Sequence, residues 1–244
     1  MSKNIDNIPS LTISGPIAKI TLCRPKQHNR IDPSDLSVLL DHFSAITSSD
    51  SIRVLIITGE GSSTFSSGYT LSAIKEELDD RFECVLDTLE SLPIPVICAM
   101  NGSAYGGATD LALCCDFRIG IEGTRMFMPA AKFGLHYYPG GIRRYVTTLG
   151  LTAAKKLFLT AQPINAKEML RINFLTELVK PEELNDTVQH YVTELLKCAP
   201  RVIASMKSDL NQTAAGSPDL VVQRANYEAS LKSEELTKRV AGLA

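Results

Sequence analysis

The sequence contains no tryptophan, aromatic residues make up only 6% of its 244 positions, and neither sign of charge is in marked excess. Because 25 Lys and Arg face 27 Asp and Glu, the formal net charge is −2, which gives no reason to expect a nucleic acid or an anionic membrane as partner. The longest apolar runs, such as residues 54–57, fall far short of the ~18 residues of a membrane helix. Residues 1–9 lack the apolar stretch of a secretory signal, so we expect a cytoplasmic protein.

The sequence also lacks any Cys-x-x-Cys pair, and its four histidines are scattered. Zinc binding needs clustered Cys and His ligands, so we expect no metal site. Several cysteines lie within apolar stretches, which predicts buried, reduced thiols. The cysteines are Cys23, Cys84, Cys98, Cys114, Cys115 and Cys198, and the histidines are His28, His42, His136 and His190.

The first 145 residues alternate between predicted strands and helices. Residues 17–22 predict a strand that pairs with residues 11–13 through a Ser-Gly-Pro turn. Residues 53–58 form a nearly continuous apolar run, typical of a strand in a parallel sheet covered on both faces, residues 96–100 predict the next buried strand, and residues 116–121 predict a further strand. This alternation predicts the α/β fold class with right-handed crossovers.

Helical spacing of apolar residues appears between these strands. Leu36, Leu39, Leu40 and Phe43 form one face, with Asp32 as the expected N-cap, Pro33 as the first helical residue and Asp35 in the first turn. Phe82, Val85, Leu86 and Leu89 form another, which the Leu-Pro-Ile-Pro run at 92–95 should end. Residues 108–115 are apolar enough for a buried helix.

Residues 146–244 differ in character and read as a helical region that is not an independent domain, whereas residues 1–145 form the α/β core. Residues 153–159 predict a helix, Asn165 with Glu168 predicts a capping box, and Pro181 and Ser217-Pro218-Asp219 each open a further helix. A short strand is expected within residues 175–179.

Glycine-bearing turns follow the predicted strands. Residues 59–64 form a degenerate dinucleotide motif, but no helix opens directly after it and no acidic residue ends a second strand, so we do not expect a nucleotide site. Residues 65–71 and 101–110 place glycines before a helix or loop, which leaves free backbone N–H groups suited to an anion or an oxyanion. The alternative is that these glycines serve only the dihedral angles of tight turns.

Several segments carry a recognisable pattern when taken in order. They are 24–29, 65–68 (Phe-Ser-Ser-Gly), 95–102 (Pro-Val-Ile-Cys-Ala-Met-Asn-Gly) leading to Gly106-Gly107, 113–119 (Leu-Cys-Cys-Asp-Phe-Arg-Ile), 133–141 and 158–166. Their order and spacing resemble the crotonase (enoyl-CoA hydratase/isomerase) superfamily over about residues 10–240. The resemblance implies a spiral of β-β-α turns with a C-terminal helical trimerisation region, assembled as a homotrimer or a dimer of trimers. It also implies a coenzyme A thioester as substrate, with no tightly bound cofactor.

Within this resemblance, the backbone N–H groups of Tyr69 and Gly107 correspond to the oxyanion-hole donors. Two preorganised N–H groups stabilise the negative charge that develops on a thioester oxygen, and each is worth ~3–4 kcal/mol of barrier. The resemblance also places a set of residues at the coenzyme A entrance. These are Lys26, Gln27, His28, Ser67 and Leu71.

The sequence departs from the hydratases of that family at both catalytic carboxylates, because Asp110 and Ala130 occupy the two positions. Hydration needs one group to activate water and another to manage a proton, and alanine transfers none. Asp110 has a second interpretation, as an acid that pairs with the helix dipole. His136 and Tyr137 lie where the loop borders the acyl pocket, and Tyr137 matches the methylmalonyl-CoA decarboxylase branch, although that branch has His in place of Tyr69.

Three alternatives therefore stay open beside a hydratase or isomerase: a malonyl-type decarboxylase, a non-catalytic acyl-CoA scaffold, and packing as the only role of His136 and Tyr137. A triad hydrolase is disfavoured because no Gly-x-Ser-x-Gly is present. The basic, aromatic C-terminal tail common in the family is reduced to Lys238-Arg239, so Arg143 and Arg144 become candidates for phosphate contacts, with a solvated basic pair as the simpler reading.

Overall fold

A six-stranded sheet forms the centre of the protein in this computed structural model, which describes residues 7–242. The strand order is β1-β2-β3-β5-β7-β10, in which β1 and β2 are antiparallel and the other pairs are parallel. Its strands are β1 (Ser10–Ser14), β2 (Ile17–Leu22), β3 (Val54–Gly59), β5 (Val96–Met100), β7 (Phe117–Ile121) and β10 (Glu177–Val179).

The protein has a second sheet of four short strands, and three of them come shortly after a strand of the first sheet. Its order is β4-β6-β8-β9, with only the β8–β9 pair antiparallel. Strands β9 and β10 come from the second half of the chain, so residues beyond 146 complete both sheets. The strands are β4 (Thr64–Ser66), β6 (Ser103–Tyr105), β8 (Arg125–Phe127) and β9 (Ile164–Asn165).

Eleven α-helices are present in the described part of the chain, and the predicted apolar faces of the first long ones are buried. Leu36, Leu39 and Phe43 are buried, as are all four predicted residues of the helix that ends at Ser91. The helices are α1 (Asp35–Thr47), α2 (Ile74–Glu77), α3 (Asp80–Ser91), α4 (Gly107–Leu113), α5 (Pro139–Leu149), α6 (Leu151–Thr160), α7 (Ala166–Arg171), α8 (Leu184–Lys197), α9 (Pro200–Ala214), α10 (Leu220–Leu231) and α11 (Glu234–Ala241).

The predicted start of α1 was wrong. The helix begins at Asp35, and Pro33 precedes it. The Asp35 carboxylate accepts a hydrogen bond from the Asp32 backbone N–H at 2.8 Å and forms a buried ion pair with Arg24. The Asp35 side chain therefore holds the turn before the helix, and Asp32 does not cap α1. The Asp35 carboxylate also pairs with Arg24, so it does more than interact with the helix dipole.

Apolar clusters cover both faces of the central sheet. The larger lies between the sheet and helices that include α1, α3 and α4, and the smaller packs α8 against β3, β5 and β7. This two-sided burial explains why the central strands are continuous apolar runs. Most later predictions are also confirmed: Asn165 and Asp219 cap α7 and α10, and β10 lies within residues 175–179. The Glu168 carboxylate, however, binds Arg171 and Lys156.

The six cysteines are all free, but only part of the prediction for them holds. Cys98, Cys114 and Cys115 are buried, whereas Cys84 and Cys198 are exposed and Cys23 is intermediate. The exposed pair lies on the outer side of α3 and just after α8, where the apolar context that predicted burial is absent. The cytoplasmic location and the division at residue 145 stay predictions. Within residues 7–242, none of the helices is both long and apolar enough to span a membrane.

Candidate active site

A cavity of about 1320 Å³ lies where the end of β4, the start of α4, α3 and the loop before α5 meet. Its wall is largely apolar, and its inner part is aromatic. Leu71 and Phe133 are exposed at its border, whereas Tyr137 is buried. The residues that matter below are Ser67, Tyr69, Leu71, Phe82, Glu83, Gly107, Ala130, His136, Tyr137 and Tyr138.

Two glycine turns bring the Tyr69 and Gly107 backbones together at this cavity. Gly68 has φ +81°, and a Cβ there would lie 2.5 Å from the Tyr105 carbonyl oxygen and 2.8 Å from the Gly107 nitrogen. The Tyr69 nitrogen lies 3.6 Å from the position that a Cβ on Gly107 would take. Only glycine permits this approach, so the Gly68 turn serves the meeting of two backbone segments as well as its own dihedral angles.

Neither of these amides has a protein acceptor within residues 7–242. Gly107 is the first residue of α4, so its N–H has no partner inside the helix. Tyr69 is held on both sides, because Ile31 donates to the Gly68 carbonyl at 2.8 Å and Thr70 donates to the Ile31 carbonyl at 3.0 Å. The backbone therefore presents two free, fixed N–H donors at the cavity wall.

Asp110 lies in the next turn of α4 and is completely buried. Its carboxylate accepts from Arg144 Nε at 2.9 Å and from the hydroxyl groups of Tyr137, at 3.3 Å, and Tyr138. Arg144 also binds Asp87 at 2.8 Å. Asp110 is therefore a fully engaged acceptor that positions two tyrosines, and it is not part of the cavity wall.

The two tyrosines remain protonated at neutral pH. Burial raises the pKa of Tyr137 well above its ordinary value, and the negative charge of Asp110 raises it further. Burial and the Asp110 charge likewise raise the pKa of Tyr138. Their rings stack with centroids 4.5 Å apart. Each phenol is a proton donor whose hydrogen points to Asp110.

Of the other predicted pocket residues, Ala130 lies inside the cavity and His136 lies at its rim. Ala130 is buried and lines the cavity, so no side chain there carries a proton. His136 is exposed at the rim, with Nδ1 2.8 Å from the Tyr137 carbonyl oxygen.

The predicted coenzyme A entrance is only partly assembled around the cavity. Ser67 and Leu71 line it, whereas Lys26, Gln27 and His28 are exposed beside it and are not part of its wall. Their neighbourhood is nevertheless shared, because the Ser67 N–H donates to the His28 carbonyl oxygen at 2.8 Å.

Arg144 is not placed to contact phosphates and the two arginines are not a solvated pair, whereas a phosphate contact by Arg143, which lines the cavity, stays a prediction. Arg144 is 1% exposed and bound to Asp110, and Arg143 forms an ion pair with Glu90. The buried carboxylate of Asp110 requires a cation. On the outer side of the same network, Asp87 and Glu90 of α3 also bind these arginines. Lys238 and Arg239 are also paired, with Glu234 and Glu235.

Sequence reasoning missed three members of this region: Tyr138 and Arg144 as partners of Asp110, and Glu83 as a cavity carboxylate. The available signal was the acidic spacing on α3, at positions 80, 83, 87 and 90, which the apolar face of the same helix overshadowed. Among the described residues, no three His, Cys, Asp or Glu side chains are arranged to hold a metal ion.

Comparison with known proteins agrees with the fold. A profile of the Enoyl-CoA hydratase/isomerase family matches residues 12–239. The Short-chain-enoyl-CoA hydratase of Clostridium acetobutylicum is 32% identical over 205 residues, covering 81% of this chain and 78% of its own. The Carnitinyl-CoA dehydratase of Salmonella arizonae is 34% identical over 203 residues, covering 81% and 77%.

Solved structures are similar over nearly the whole chain. The enoyl-CoA hydratase of Bacillus anthracis has a TM-score of 0.86 at 23% identity, covering 96% of this chain and 95% of its own. The Pseudomonas aeruginosa protein DspI has a TM-score of 0.88 at 25% identity, covering 100% and 97%. The predicted crotonase-like α/β fold is confirmed, and this chain belongs to the enoyl-CoA hydratase/isomerase family.

Proposed function

We propose that the protein binds an acyl-CoA thioester and stabilises its enolate with the backbone N–H groups of Tyr69 and Gly107. The observation that carries this proposal is that both amides are unpartnered and border one largely apolar cavity. A dry wall strengthens such donors, since water does not compete for them. The coenzyme A moiety enters and leaves as part of the substrate, and no tightly bound cofactor is required.

The reaction class follows from the family and its relatives, which include a hydratase and a dehydratase. Reactions of the hydratase and isomerase type share the enolate, so the backbone donors serve either. The side chains narrow the choice, because Ala130 supplies no acid or base and Asp110 is saturated by Arg144, Tyr137 and Tyr138. We therefore infer that water addition with two carboxylates is not the favoured reaction of this site.

A malonyl-type decarboxylation is the second candidate, and the protonated tyrosines favour it. Loss of CO₂ from a malonyl thioester leaves the same enolate without any base, and a donor must then protonate carbon. Tyr137 and Tyr138 line the cavity as protonated phenols. If Tyr137 is the donor, Tyr137→Phe should slow decarboxylation by the ~10²–10⁴-fold typical of a lost acid–base group, and an unchanged rate would exclude it.

One panel separates these reactions. The protein is incubated with crotonyl-CoA, a 3-enoyl-CoA and methylmalonyl-CoA, and products are identified by mass and by the position of the double bond. Turnover of any one supports the proposal. Binding of all three with turnover of none over a broader panel identifies a scaffold, and neither binding nor turnover contradicts the proposal altogether.

The segment 26–28 is proposed to flank the coenzyme A entrance. Lys26 is exposed, and the segment is joined to Ser67 through the His28 carbonyl. Exposed Lys26 suits a phosphate group of coenzyme A, while Ser67 and Leu71 contact the pantetheine arm at the cavity. Lys26→Ala should therefore raise KM for acyl-CoA in a salt-dependent way with little change in kcat; an effect on kcat alone would contradict this placement.

We further propose a homotrimer or a dimer of trimers assembled through the C-terminal helices. Large apolar side chains are exposed along α9 and α10, including Leu210 at 69%, Leu220 at 71% and Val221 at 80%. Exposed apolar surface of this kind is typical of a subunit interface. Light scattering of the eluted protein should give three or six times the 26.6 kDa chain mass, and a monomer would contradict the assembly.

A further inference from the structure

Glu83 is a cavity carboxylate that the active-site network leaves without a cation. It lies on the side of α3 that also carries Asp87 and Glu90, which bind Arg144 and Arg143. Within the described residues, Glu83 itself takes part in no ion pair and its side chain makes no hydrogen bond. It is half-buried and lines the same cavity as Tyr69 and Gly107.

The position of α3 against the two backbone donors is fixed by the residue before Glu83. A Cβ on Gly107 would lie 2.7 Å from Phe82 Cζ, so the Phe82 ring sits directly against that glycine. The Phe82 ring also meets the Tyr69 ring edge-on, with centroids 5.3 Å apart. Phe82 therefore anchors α3 beside both halves of the proposed oxyanion hole, and Glu83, the next residue of that helix, lines the same cavity.

Several neighbouring polar groups are already engaged, and Asp80, which also lines the cavity, is exposed to solvent. The Tyr69 hydroxyl donates to the Glu77 carbonyl at 2.9 Å, and the Asp79 carboxylate is bound by Arg81 at 2.8 Å. The Tyr137 and Tyr138 hydroxyl groups donate to Asp110. Glu83 is therefore the half-buried carboxylate of the wall that remains available to exchange a proton with a ligand.

The electrostatic surroundings suit that role. Burial raises the pKa of Glu83, and the negative charge of Asp87 adds to this, with smaller contributions from Asp80 and Asp110, while Arg144 opposes them. A carboxylate with a raised pKa is a stronger base toward carbon acids and regains its proton more readily than an ordinary one. Glu83 is selected by its place in the cavity and by its lack of a bound cation within the described residues, and its raised pKa suits proton transfer.

We propose that Glu83 is the catalytic base that moves a proton between C2 and C4 of a 3-enoyl-CoA, a step that rests on the enolate function proposed above. The Glu83 carboxylate removes one proton from C2, and the C–H electrons form a dienolate whose oxygen is bound by the Tyr69 and Gly107 amides. The carboxylic acid then returns the same proton to C4, and the electrons leave the double bond between C2 and C3. The product is the isomeric 2-enoyl-CoA, and no water, oxidant or second acid is consumed.

This assignment fits the side chains that are missing as well as the one that is present. Hydration by the family's pair of carboxylates requires two proton-handling groups, and Ala130 cannot act as one of them. A 1,3-shift requires only one, provided that the same carboxyl group reaches both carbons. The substrate class is therefore an unsaturated acyl thioester with its double bond between C3 and C4.

The test uses the full chain with a 3-enoyl-CoA, comparing wild type with Glu83→Gln. Two readouts are followed: formation of the 2-enoyl-CoA, and deuterium exchange at C2 of a saturated acyl-CoA in D₂O. Glu83→Gln should lower both rates by ~10²–10⁴-fold, with the Kd for the saturated acyl-CoA within about twofold of wild type. Glu83→Asp should recover part of the rate. In wild type, kcat/KM should fall as pH drops through a pKa above that of an ordinary glutamate.

Glu76→Gln is the matched control, since it makes the same chemical change at an exposed glutamate of the adjacent α2 helix that does not line the cavity. It should leave both rates unchanged. If wild type isomerises and Glu83→Gln keeps its rate, Glu83 is not the base, and the enolate function stands. If wild type turns over crotonyl-CoA or methylmalonyl-CoA but neither isomerises nor exchanges, the Glu83 proposal alone fails. If wild type neither binds nor turns over any acyl-CoA, the enolate function fails with it.

Discussion

The two walls of the cavity differ in what builds them. One wall is backbone: the Gly68 turn and the start of α4 hold two free amides, and the side chains of those residues take no part. The other wall is made of side chains, where Ala130 has no polar group, and Asp110 lies buried behind that wall in an ion pair with Arg144. The backbone wall holds the two amides that we propose as oxyanion donors, whereas the side chains at the two carboxylate positions of the family's hydratases are Asp110 and Ala130.

This difference indicates how a family chemistry changes. A backbone oxyanion hole depends on glycine turns and close strand packing, so altering it disturbs the fold. A side-chain acid or base is supported by its neighbours and is replaced more easily. Under our two proposals, the backbone amides stabilise the thioester enolate as in the family, and the proton is transferred by a residue of α3 instead of by the two carboxylate positions.

The largest loss of activity is expected when one N–H donor is removed from the backbone wall. Gly107→Pro eliminates the N–H at the first position of α4, where proline is tolerated by the helix. Loss of one oxyanion donor should lower kcat by ~10²–10³-fold, as measured with whichever acyl-CoA the panel identifies.

Gly107→Ala is the matched control for that substitution. Any Cβ at this position meets the Phe82 ring at 2.7 Å, so both variants share that clash, but only proline replaces the N–H hydrogen with a ring carbon. The difference in kcat between the two variants, with circular dichroism as a check on folding, isolates the donor. Equal rates would remove Gly107 from the mechanism.

The next test asks whether Asp110 is structural. Asp110→Asn leaves buried Arg144 without its innermost carboxylate, although Asp87 and Glu90 remain. We expect a loss of about 3 kcal/mol in the free energy of unfolding, measured with urea, because a buried cation has lost its partner.

A double-mutant cycle with Arg144→Met sharpens this result. If the pair acts as a unit, the double variant should lose less stability than the sum of the two single variants. A loss below about 1 kcal/mol for Asp110→Asn, accompanied by complete loss of turnover, would contradict the structural role and would favour Asp110 as a catalytic base.

The smallest expected effect comes from restoring the missing carboxylate. Ala130→Glu places an acid in the side-chain wall, and hydration of crotonyl-CoA should rise by about tenfold, below the full effect of an acid–base residue because the surroundings are not adapted to it. Ala130→Gln, which adds the same volume without the acid, should give no rise. If glutamine is as effective as glutamate, the absence of a carboxylate is not what limits hydration here.

Much of the fold could be predicted from the sequence because its signals are local. The apolar spacing of Phe82, Val85, Leu86 and Leu89 and the continuous strands carry their burial within a few residues. The two glycine segments could be recognised for the same reason, since each is a short turn beside a strand or helix.

The side-chain wall could not be predicted because its contacts are distant in sequence. Asp110 and Arg144 are separated by 34 positions, and Arg144 lies in an amphipathic helix where an arginine normally faces solvent. Only the packing of α5 against α4 and α3 reveals that it is buried. The same holds for Glu83, which only the packing of α3 in the structure places at the cavity.

The most direct test of the account is the vibrational spectrum of a bound thioester. A saturated acyl-CoA labelled with ¹³C at the thioester carbonyl is bound to the protein, and the carbonyl stretch is measured by isotope-edited infrared spectroscopy. Two hydrogen bonds to that oxygen should shift the band to lower frequency than in water, and Gly107→Pro should reverse part of the shift. A bound thioester whose carbonyl band stays at its solution frequency would contradict the claim that Tyr69 and Gly107 hold the oxyanion.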